Sequence, residues 1–215
     1  SVARMQAQPE SGNHRHGFHN DPAQATIRIL STMPGTAMVA YRRNFVPGAS
    51  YFFTVTLRDR RADLLIRHVR ELRAAYCEAA RKSPFTTDAI VILPDHLHAI
   101  WTLPPGDSDY PGRWRSIKSG FVRRLARAGA VIGRNHRNEA RVWQRRYWEH
   151  TIRDHDDLQR HMDYIHYNPV RHGLVSTAAD WPYSSIHRFI EKGDIAPDWA
   201  SSPDDQTMPD RGEPR

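Results

Sequence analysis

Two histidines separated by one residue lie in the apolar segment PDHLHAIWTLP, residues 94 to 104. The run of apolar residues after His96 is typical of a β-strand. Because successive side chains of a strand point to opposite faces of the sheet, His96 and His98 leave the same face. Two imidazoles on one face can bind a single metal ion. The spacing therefore predicts a metal site at the beginning of this strand.

A tyrosine and an asparagine four residues apart lie in the segment QRHMDYIHYNPVRHGLV, residues 159 to 175. In a helix Tyr164 and Asn168 share one face, about one turn apart. A phenol can act as a nucleophile, and a divalent metal polarises a phosphate group. Together with the histidine pair, these residues indicate a tyrosine nucleophile beside a metal that binds a phosphate.

Six strings occur in one order between Tyr41 and Glu191. By these strings the chain resembles the REP-associated tyrosine transposases, relatives of the bacterial insertion-sequence single-tyrosine transposases in the HUH superfamily. The letter U stands for a hydrophobic residue, here Leu97. HxH alone is a weak signal, whereas six strings in register are specific. The strings are YRRNFVPGASYFFTVTLRDRR, LPDHLHAIWTLP, RWRSIKSGF, WQRRYWEHTIRD, DYIHYNPVRHGLV and DWPYSS.

The resemblance implies an enzyme that cleaves and rejoins single-stranded DNA beside REP-type palindromic hairpins through a covalent 5′-phosphotyrosine. It assigns Tyr164 as the nucleophile and His96 and His98 as metal ligands. Asn168 stands where many insertion-sequence enzymes have a glutamine ligand. The expected cofactor is a divalent metal, Mg²⁺ or Mn²⁺. The expected partners are single-stranded or hairpin DNA, with a monomer or weak dimer in the bacterial cytoplasm, associated with the nucleoid.

The charge distribution favours a nucleic-acid partner. The chain has a net charge of +7, and residues 113 to 153 alone carry about +10. Aromatic residues lie among these cations and could stack on unpaired bases. The residues predicted to contact DNA are Arg113, Arg115, Lys118, Arg123, Arg124, Arg127, Arg145 and Arg146.

Hydrophobic periodicity predicts an α+β fold with one small antiparallel sheet. The resemblance implies a ferredoxin-like or RRM-like single domain. Pro169 is expected to end or kink the last helix, which would put Tyr164 and Asn168 in its last turn at an accessible edge. The predicted elements are strand 51–57, helix 61–82, strands 87–93 and 96–103, helix 114–129, a strand-like segment 141–149, and a helix beginning near 154–157.

The composition divides the 215 residues into three parts. Residues 1–40 lack periodicity and are predicted to be a disordered leader. Residues 41–193 form the predicted catalytic domain, and residues 194–215 form an acidic, flexible tail with six acids against two arginines. No apolar stretch approaches the roughly 20 residues of a membrane span. The single cysteine, Cys77, excludes an internal disulfide.

Several alternatives remain open at this point. Tyr167 and His166 are close enough in sequence to rival Tyr164. Glu149 is a possible partner for a histidine ligand. A non-catalytic, RRM-like protein would bind single-stranded nucleic acid through aromatic residues on its two central strands. A hydrolase that uses only metal-activated water would not need Tyr164.

Overall fold

An antiparallel sheet organises the chain in the computed structural model, which describes residues 43–137 and 140–200. Its strands are β1 (Ser50–Thr56), β2 (Thr86–Ile92), β3 (His96–Thr102) and β4 (Trp148–Thr151). They lie in the order β2-β3-β1-β4, and each neighbouring pair is antiparallel. With a helical connection after β1 and another after β3, this is the β-α-β-β-α-β order of a ferredoxin-like fold. The predicted fold class is confirmed.

Two of the helices begin at an aspartate that caps the N-terminus. Asp109 accepts a hydrogen bond from the backbone N–H of Gly112 at the start of one helix, and Asp154 accepts one from Asp157 at the start of another. Asp156 and Asp157 also place negative charge in the first turn, where the helix dipole favours it. The helices are α1 (Leu64–Arg67), α2 (Val69–Lys82), α3 (Tyr110–Arg127), α4 (His155–Arg171) and α5 (Ile186–Lys192).

Both faces of the sheet are covered by helices. On one face, Phe53 and Trp101 pack with Trp114 of α3, in a cluster that also includes residues of α2. On the other face, Phe52 packs with Ile165 of α4. Each of these large side chains contributes about 1.5–3 kcal/mol by leaving water. The alternation along β1 and β3 thus divides the core into two layers and directs His96 and His98 toward α4.

Two predicted elements differ from the observed ones. The helix predicted at 61–82 is interrupted at His68, although the backbone bond from Leu72 to His68 continues across the break. The strand-like segment 141–149 is regular only from Trp148. Before Trp148, Val142 and Gln144 form backbone hydrogen bonds with the end of β1 and the residues just after it. These bonds do not make a continuous strand ladder.

Helix α4 passes through Pro169 and ends at Arg171. Of the expectation that Pro169 ends or kinks this helix, the part that concerns the helix end is therefore wrong. Proline removes the N–H that would bond the carbonyl oxygen of Ile165. The loss falls in the last turn, and the backbone N–H of His172 still bonds the carbonyl oxygen of Asn168. One missing bond this close to the terminus does not stop the helix.

The outer edge of β2 is paired with a later segment of the chain. The backbone N–H of Ile92 donates to Tyr183, and that of Ser185 donates to Ile90. The Ser185 hydroxyl also accepts from the backbone N–H of Ile90 at 2.9 Å. The opposite edge of the sheet is β4, a strand of four residues.

The chain stays packed beyond the predicted start of the tail at residue 194. Ile195, Trp199 and Ala200 belong to a small apolar cluster with Tyr167 and Ala178. The predicted leader, residues 1–40, and the tail beyond residue 200 lie outside the described residues. Within the described ranges, no helix combines the length and the apolar character needed to cross a membrane.

Candidate active site

The two histidines are positioned by the register between β3 and β1. His98 lies opposite Thr54, and His96 lies opposite Thr56. Both imidazoles are buried on the α4 face, with ring centroids 5.0 Å apart. The sequence prediction that they share one face is therefore confirmed by the geometry.

A neighbouring side chain orients each imidazole. His98 Nδ1 lies 2.9 Å from the Thr54 hydroxyl, and His96 Nδ1 lies 2.7 Å from a carboxylate oxygen of Asp95. An Nδ1–H that donates to these oxygens makes Nε2 the nitrogen that can bind a metal. Burial raises the pKa of Asp95, but the bond to His96 and the charge of Arg60 outweigh it, so the pKa is lowered overall. Asp95 thus stays ionised beside the imidazole.

Tyr164 reaches the histidine pair from α4. Its ring lies edge-on to His98, with centroids 5.1 Å apart, and also contacts Phe52 at 5.9 Å. The guanidinium carbon of Arg171 lies 5.5 Å from the centroid of the Tyr164 ring. One turn beyond the site, the ring of His172 lies 5.1 Å from that of His96. A phenol, two imidazoles and a nearby cation therefore meet on one face of the sheet.

Asn168 lies one helical turn after Tyr164 and is fully buried. Among the described residues, neither its amide oxygen nor its amide nitrogen has a hydrogen-bond partner. Leaving a buried amide unsatisfied costs about 1–3 kcal/mol. This cost indicates that the Asn168 amide is positioned to bind a ligand. An amide oxygen suits a hard divalent cation, so the residues present fit the predicted metal.

Tyr164 is less accessible than expected. Because α4 continues to Arg171, Tyr164 lies about two turns before the end of the helix, and only 6% of its surface is exposed. Asn168 does lie in the last turn. The prediction of an accessible edge was wrong because α4 packs along the sheet at this point.

The neighbouring rivals of Tyr164 lie on other sides of α4. His166 Nε2 bonds the Ser185 hydroxyl at 3.0 Å, and burial lowers the pKa of His166 to about 4. Tyr167 packs with Ala178 and Ile186 in a separate cluster. His166 points away from the histidine pair because it lies about 200° around the helix from Tyr164. Tyr167 is offset by only about 60°, but its ring packs in the separate cluster instead of against the histidines.

This chain covers nearly the whole length of two curated relatives. A REP-associated tyrosine transposase of Escherichia coli strain K12 is 41% identical over 174 residues, 81% of this chain and 98% of the relative. A Haemophilus influenzae protein, given the same name provisionally, is 46% identical over 170 residues, 78% of this chain and 96% of the relative. No family model matches the chain.

A solved structure has the same fold. It is the structure of a REP-associated tyrosine transposase bound to a REP hairpin, 42% identical, with a TM-score of 0.69. The match covers 83% of this chain and 99% of that one. The chain belongs to the REP-associated tyrosine transposases. Members of this family are DNA-cleaving and DNA-joining enzymes, and the family resemblance of the six strings is confirmed.

Glu149 of this transposase does not support a histidine ligand. It pairs with Phe53 across the sheet and therefore faces α3, whereas the histidines face α4. Its carboxylate lies 3.5 Å from the Tyr110 hydroxyl and 3.6 Å from Arg43 Nε. The partner that the sequence reasoning missed is Asp95, which directly precedes His96.

A second group of possible metal ligands joins β4 to the start of α4. His150, Asp157 and His161 offer ligand atoms that all lie within 4.8 Å of one another. The carboxylate of Asp157 already accepts hydrogen bonds from His150, from the backbone of Arg153 and from Arg160. These bonds account for the geometry of the group, which anchors the helix that carries Tyr164.

The predicted DNA-contacting residues separate into three groups. Arg113 is buried and donates to Asp107 and to the backbone oxygens of Ser83 and Pro84, so its prediction as a phosphate contact is wrong. Arg124 bonds Glu78 at 2.8 Å. Two further exposed residues, Arg127 and Arg146, do not line the cleft described next. A cleft beside α3 is lined by the remaining four, Arg115, Lys118, Arg123 and Arg145.

Proposed function

We propose that this transposase is a metal-dependent single-stranded DNA endonuclease and strand transferase that acts at REP-type hairpins through a covalent 5′-phosphotyrosine. The observation that carries the proposal is the contact between Tyr164 and His98, at 5.1 Å between ring centroids, within one chain. The relative bound to a REP hairpin supports the choice of DNA. Because Tyr164 and His98 come from the same chain, the proposed site needs no residue from a second copy, in keeping with an active monomer or weak dimer.

In the proposed reaction, the phenol oxygen of Tyr164 attacks a phosphorus of the DNA backbone. The bond from phosphorus to the 3′ oxygen breaks, its electron pair leaves with that oxygen, and the proton lost by the phenol passes, directly or through water, to the same oxygen to give a 3′ hydroxyl. A second 3′ hydroxyl can later attack the phosphotyrosine and release Tyr164. The energy of the phosphodiester is retained in the adduct, so joining needs no nucleotide cofactor.

The side chains around Tyr164 favour the charged states of this reaction. The guanidinium carbon of Arg171, 5.5 Å from the centroid of the Tyr164 ring, places a positive charge beside the proposed nucleophile. His96, His98 and Asn168 would hold the divalent metal, Mg²⁺ or Mn²⁺. When bound, this ion would polarise the phosphate oxygens and stabilise the leaving oxygen. Thr54 and Asp95 keep the two imidazoles oriented for that role.

The alternative, an RRM-like protein, would bind bases on an open face of its sheet. Among the described residues, the two central strands present no such face. The aromatic residues of the two central strands are Tyr51, Phe52 and Phe53 of β1 and Trp101 of β3. All four are completely buried under helices on one face or the other. Stacking of bases on these rings would require a helix to leave the sheet.

The decisive experiment replaces Tyr164 by phenylalanine. We expect Tyr164→Phe to abolish cleavage and adduct formation, because only the nucleophilic oxygen is lost, while hairpin binding stays within about twofold. The measurement uses end-labelled hairpin DNA with a single-stranded flank and Mn²⁺ or Mg²⁺, followed by denaturing electrophoresis. Peptide mass spectrometry then identifies the residue attached to DNA.

Tyr167→Phe provides the matched control, since it removes the same hydroxyl from the same helix and should leave the adduct intact. Cleavage that survives Tyr164→Phe would indicate a hydrolase using metal-activated water. An adduct on any residue other than Tyr164 would contradict the assignment of the nucleophile.

A further inference from the structure

A basic cleft lies on the α3 side of the sheet, opposite to the face that carries the histidine pair. We call it the α3 cleft. Helix α3 forms one wall with Lys118 and Arg123, and residues 140–147 form the other wall with Trp143 and Tyr147. Its volume is about 730 Å³. This size falls in the range of roughly 300–1,000 Å³ that is typical of ligand sites.

Among the described residues that line the α3 cleft, all the charged side chains are cationic. None of those residues is acidic, and Arg43 faces the buried Glu149, with 3.6 Å between its Nε atom and the carboxylate. Concentrating like charges in a concave surface raises the local potential and attracts anions. The cationic residues are Arg43, Arg115, Lys118, Arg123, Arg134 and Arg145.

Lys118 is the most enclosed of these cations. Its Nζ donates to the backbone oxygen of Gln144 at 3.1 Å and lies 5.3 Å from the Tyr147 ring centroid and 5.7 Å from that of Trp143. Burial, followed by the charge of Arg43, lowers the pKa of Lys118 to about 8. An ammonium group in this environment is stabilised by an incoming anion, and an aromatic ring lies on each side of it.

We propose that the α3 cleft binds an unpaired nucleotide of the substrate DNA, with a backbone phosphate on Lys118 and the base against Trp143 or Tyr147. The choice of DNA rests on the proposed function. A base inside a duplex is stacked on its neighbours, so only an unstacked base can reach rings in the wall of a cleft. Because the sheet separates the α3 cleft from Tyr164, the bound nucleotide is distant from the cleaved bond.

The first test measures binding of a short fluorescent single strand and of a blunt duplex by anisotropy over a salt series, with all variants in the Tyr164→Phe background. Loss of one phosphate contact should reduce the slope of log affinity against log salt by about 0.7 for a single strand. Lys118→Met should therefore weaken binding about fivefold at about 0.1 M salt, with little effect near 1 M. Arg81→Met, which removes an equal exposed charge from α2, should have a much smaller effect.

The second test maps the site without altering the cleft. A single strand carrying iodouracil is irradiated with the Tyr164→Phe protein, and crosslinked peptides are identified. We expect crosslinks at Trp143 or Tyr147. Crosslinks confined to other peptides, or equal weakening by Lys118→Met and Arg81→Met, would overturn the proposal. If the unaltered protein forms no Tyr164 adduct while the Tyr164→Phe protein crosslinks in the α3 cleft, the proposed catalysis is rejected and the cleft assignment stands.

Discussion

At the scale of single residues, the histidine pair depends on two side chains that would not touch the metal. Thr54 and Asp95 each fix one Nδ1 atom and thereby the direction of Nε2. Loss of such a supporting hydrogen bond typically lowers the metal affinity by about 10–100-fold. Thr54 and Asp95 are therefore positioning residues, whereas His96 and His98 are the proposed ligands.

We expect Thr54→Val to raise the Mn²⁺ concentration needed for half-maximal cleavage by about 10-fold or more, because His98 loses its hydrogen-bond partner. Cleavage should recover at high metal concentration. Thr56→Val removes the same hydroxyl from the same face of β1 and should leave the metal dependence unchanged. A reduced maximal rate with an unaltered metal dependence would contradict a positioning role for Thr54.

Loss of a proposed ligand should have a larger effect than loss of its support. His96→Ala and His98→Ala should each abolish metal-dependent cleavage, because one remaining imidazole holds a divalent ion too weakly. Asn168→Ala should be milder, since water can occupy the position of the amide oxygen. The test compares cleavage across a metal titration. Robust activity of the unaltered protein in excess chelator would exclude metal catalysis.

At the scale of elements, the parts of the site that depend on local periodicity were predictable from the sequence. Alternation along β3 predicted the shared face of His96 and His98, and the four-residue spacing predicted that of Tyr164 and Asn168. Contacts between distant segments were not predictable in this way. Thr54 meets His98 only through the register of β1 with β3, a pairing that no local pattern encodes.

The same distinction explains the wrong predictions. Arg113 was predicted to face phosphate because charge alone was visible, but the loop before α3 folds Asp107 onto it at 2.6 Å. Glu149 lies on the face of the sheet opposite to the histidines, because a shift of one position along a strand reverses the face. Pro169 was expected to end or kink α4, yet the helix continues to Arg171 because the missing hydrogen bond falls in its last turn.

Helix α4 depends on its first turn for stability. Asp154 caps the helix by accepting from the backbone of Asp157, so Asp154→Ala should reduce the free energy of unfolding by about 1 kcal/mol. Urea denaturation at neutral pH measures this change. Asp156→Ala, which leaves the cap bond in place, should have a smaller effect. Equal losses in both variants would show that charge, and not the cap bond, stabilises this terminus.

Acid should destabilise α4 through Asp157. Burial raises the pKa of this carboxyl, but bonds from His150 and Arg153 outweigh it and lower the pKa to about 2, below the unfolded value of about 3.9. The carboxylate therefore contributes stability above about pH 4 that is lost as the pH falls toward 2. The cation Arg160 also faces it, as does His161, whose pKa is lowered by burial. Asp157→Asn should flatten the decline in melting temperature over this interval; an unchanged decline would exclude Asp157 as its source.

At the scale of the whole molecule, the excess of positive charge should govern DNA binding. Log affinity should fall roughly linearly with log salt, with a slope of about −0.7 per neutralised phosphate for single strands. A hairpin with a single-stranded flank should bind more tightly than a blunt duplex. Arg123→Glu should reduce the slope, whereas reversal at Arg124 would also break its ion pair with Glu78. A flat salt response would contradict this substrate class.

The pairing of β2 with residues 183–185 has a consequence for solubility. An exposed strand edge is a template on which other copies of a protein can add strands and aggregate. Here one end of the sheet is already hydrogen-bonded to Tyr183 and Ser185, and the other end is a strand of only four residues. A sheet rich in buried aromatic residues is thereby kept from growing by edge-to-edge addition of strands from other copies.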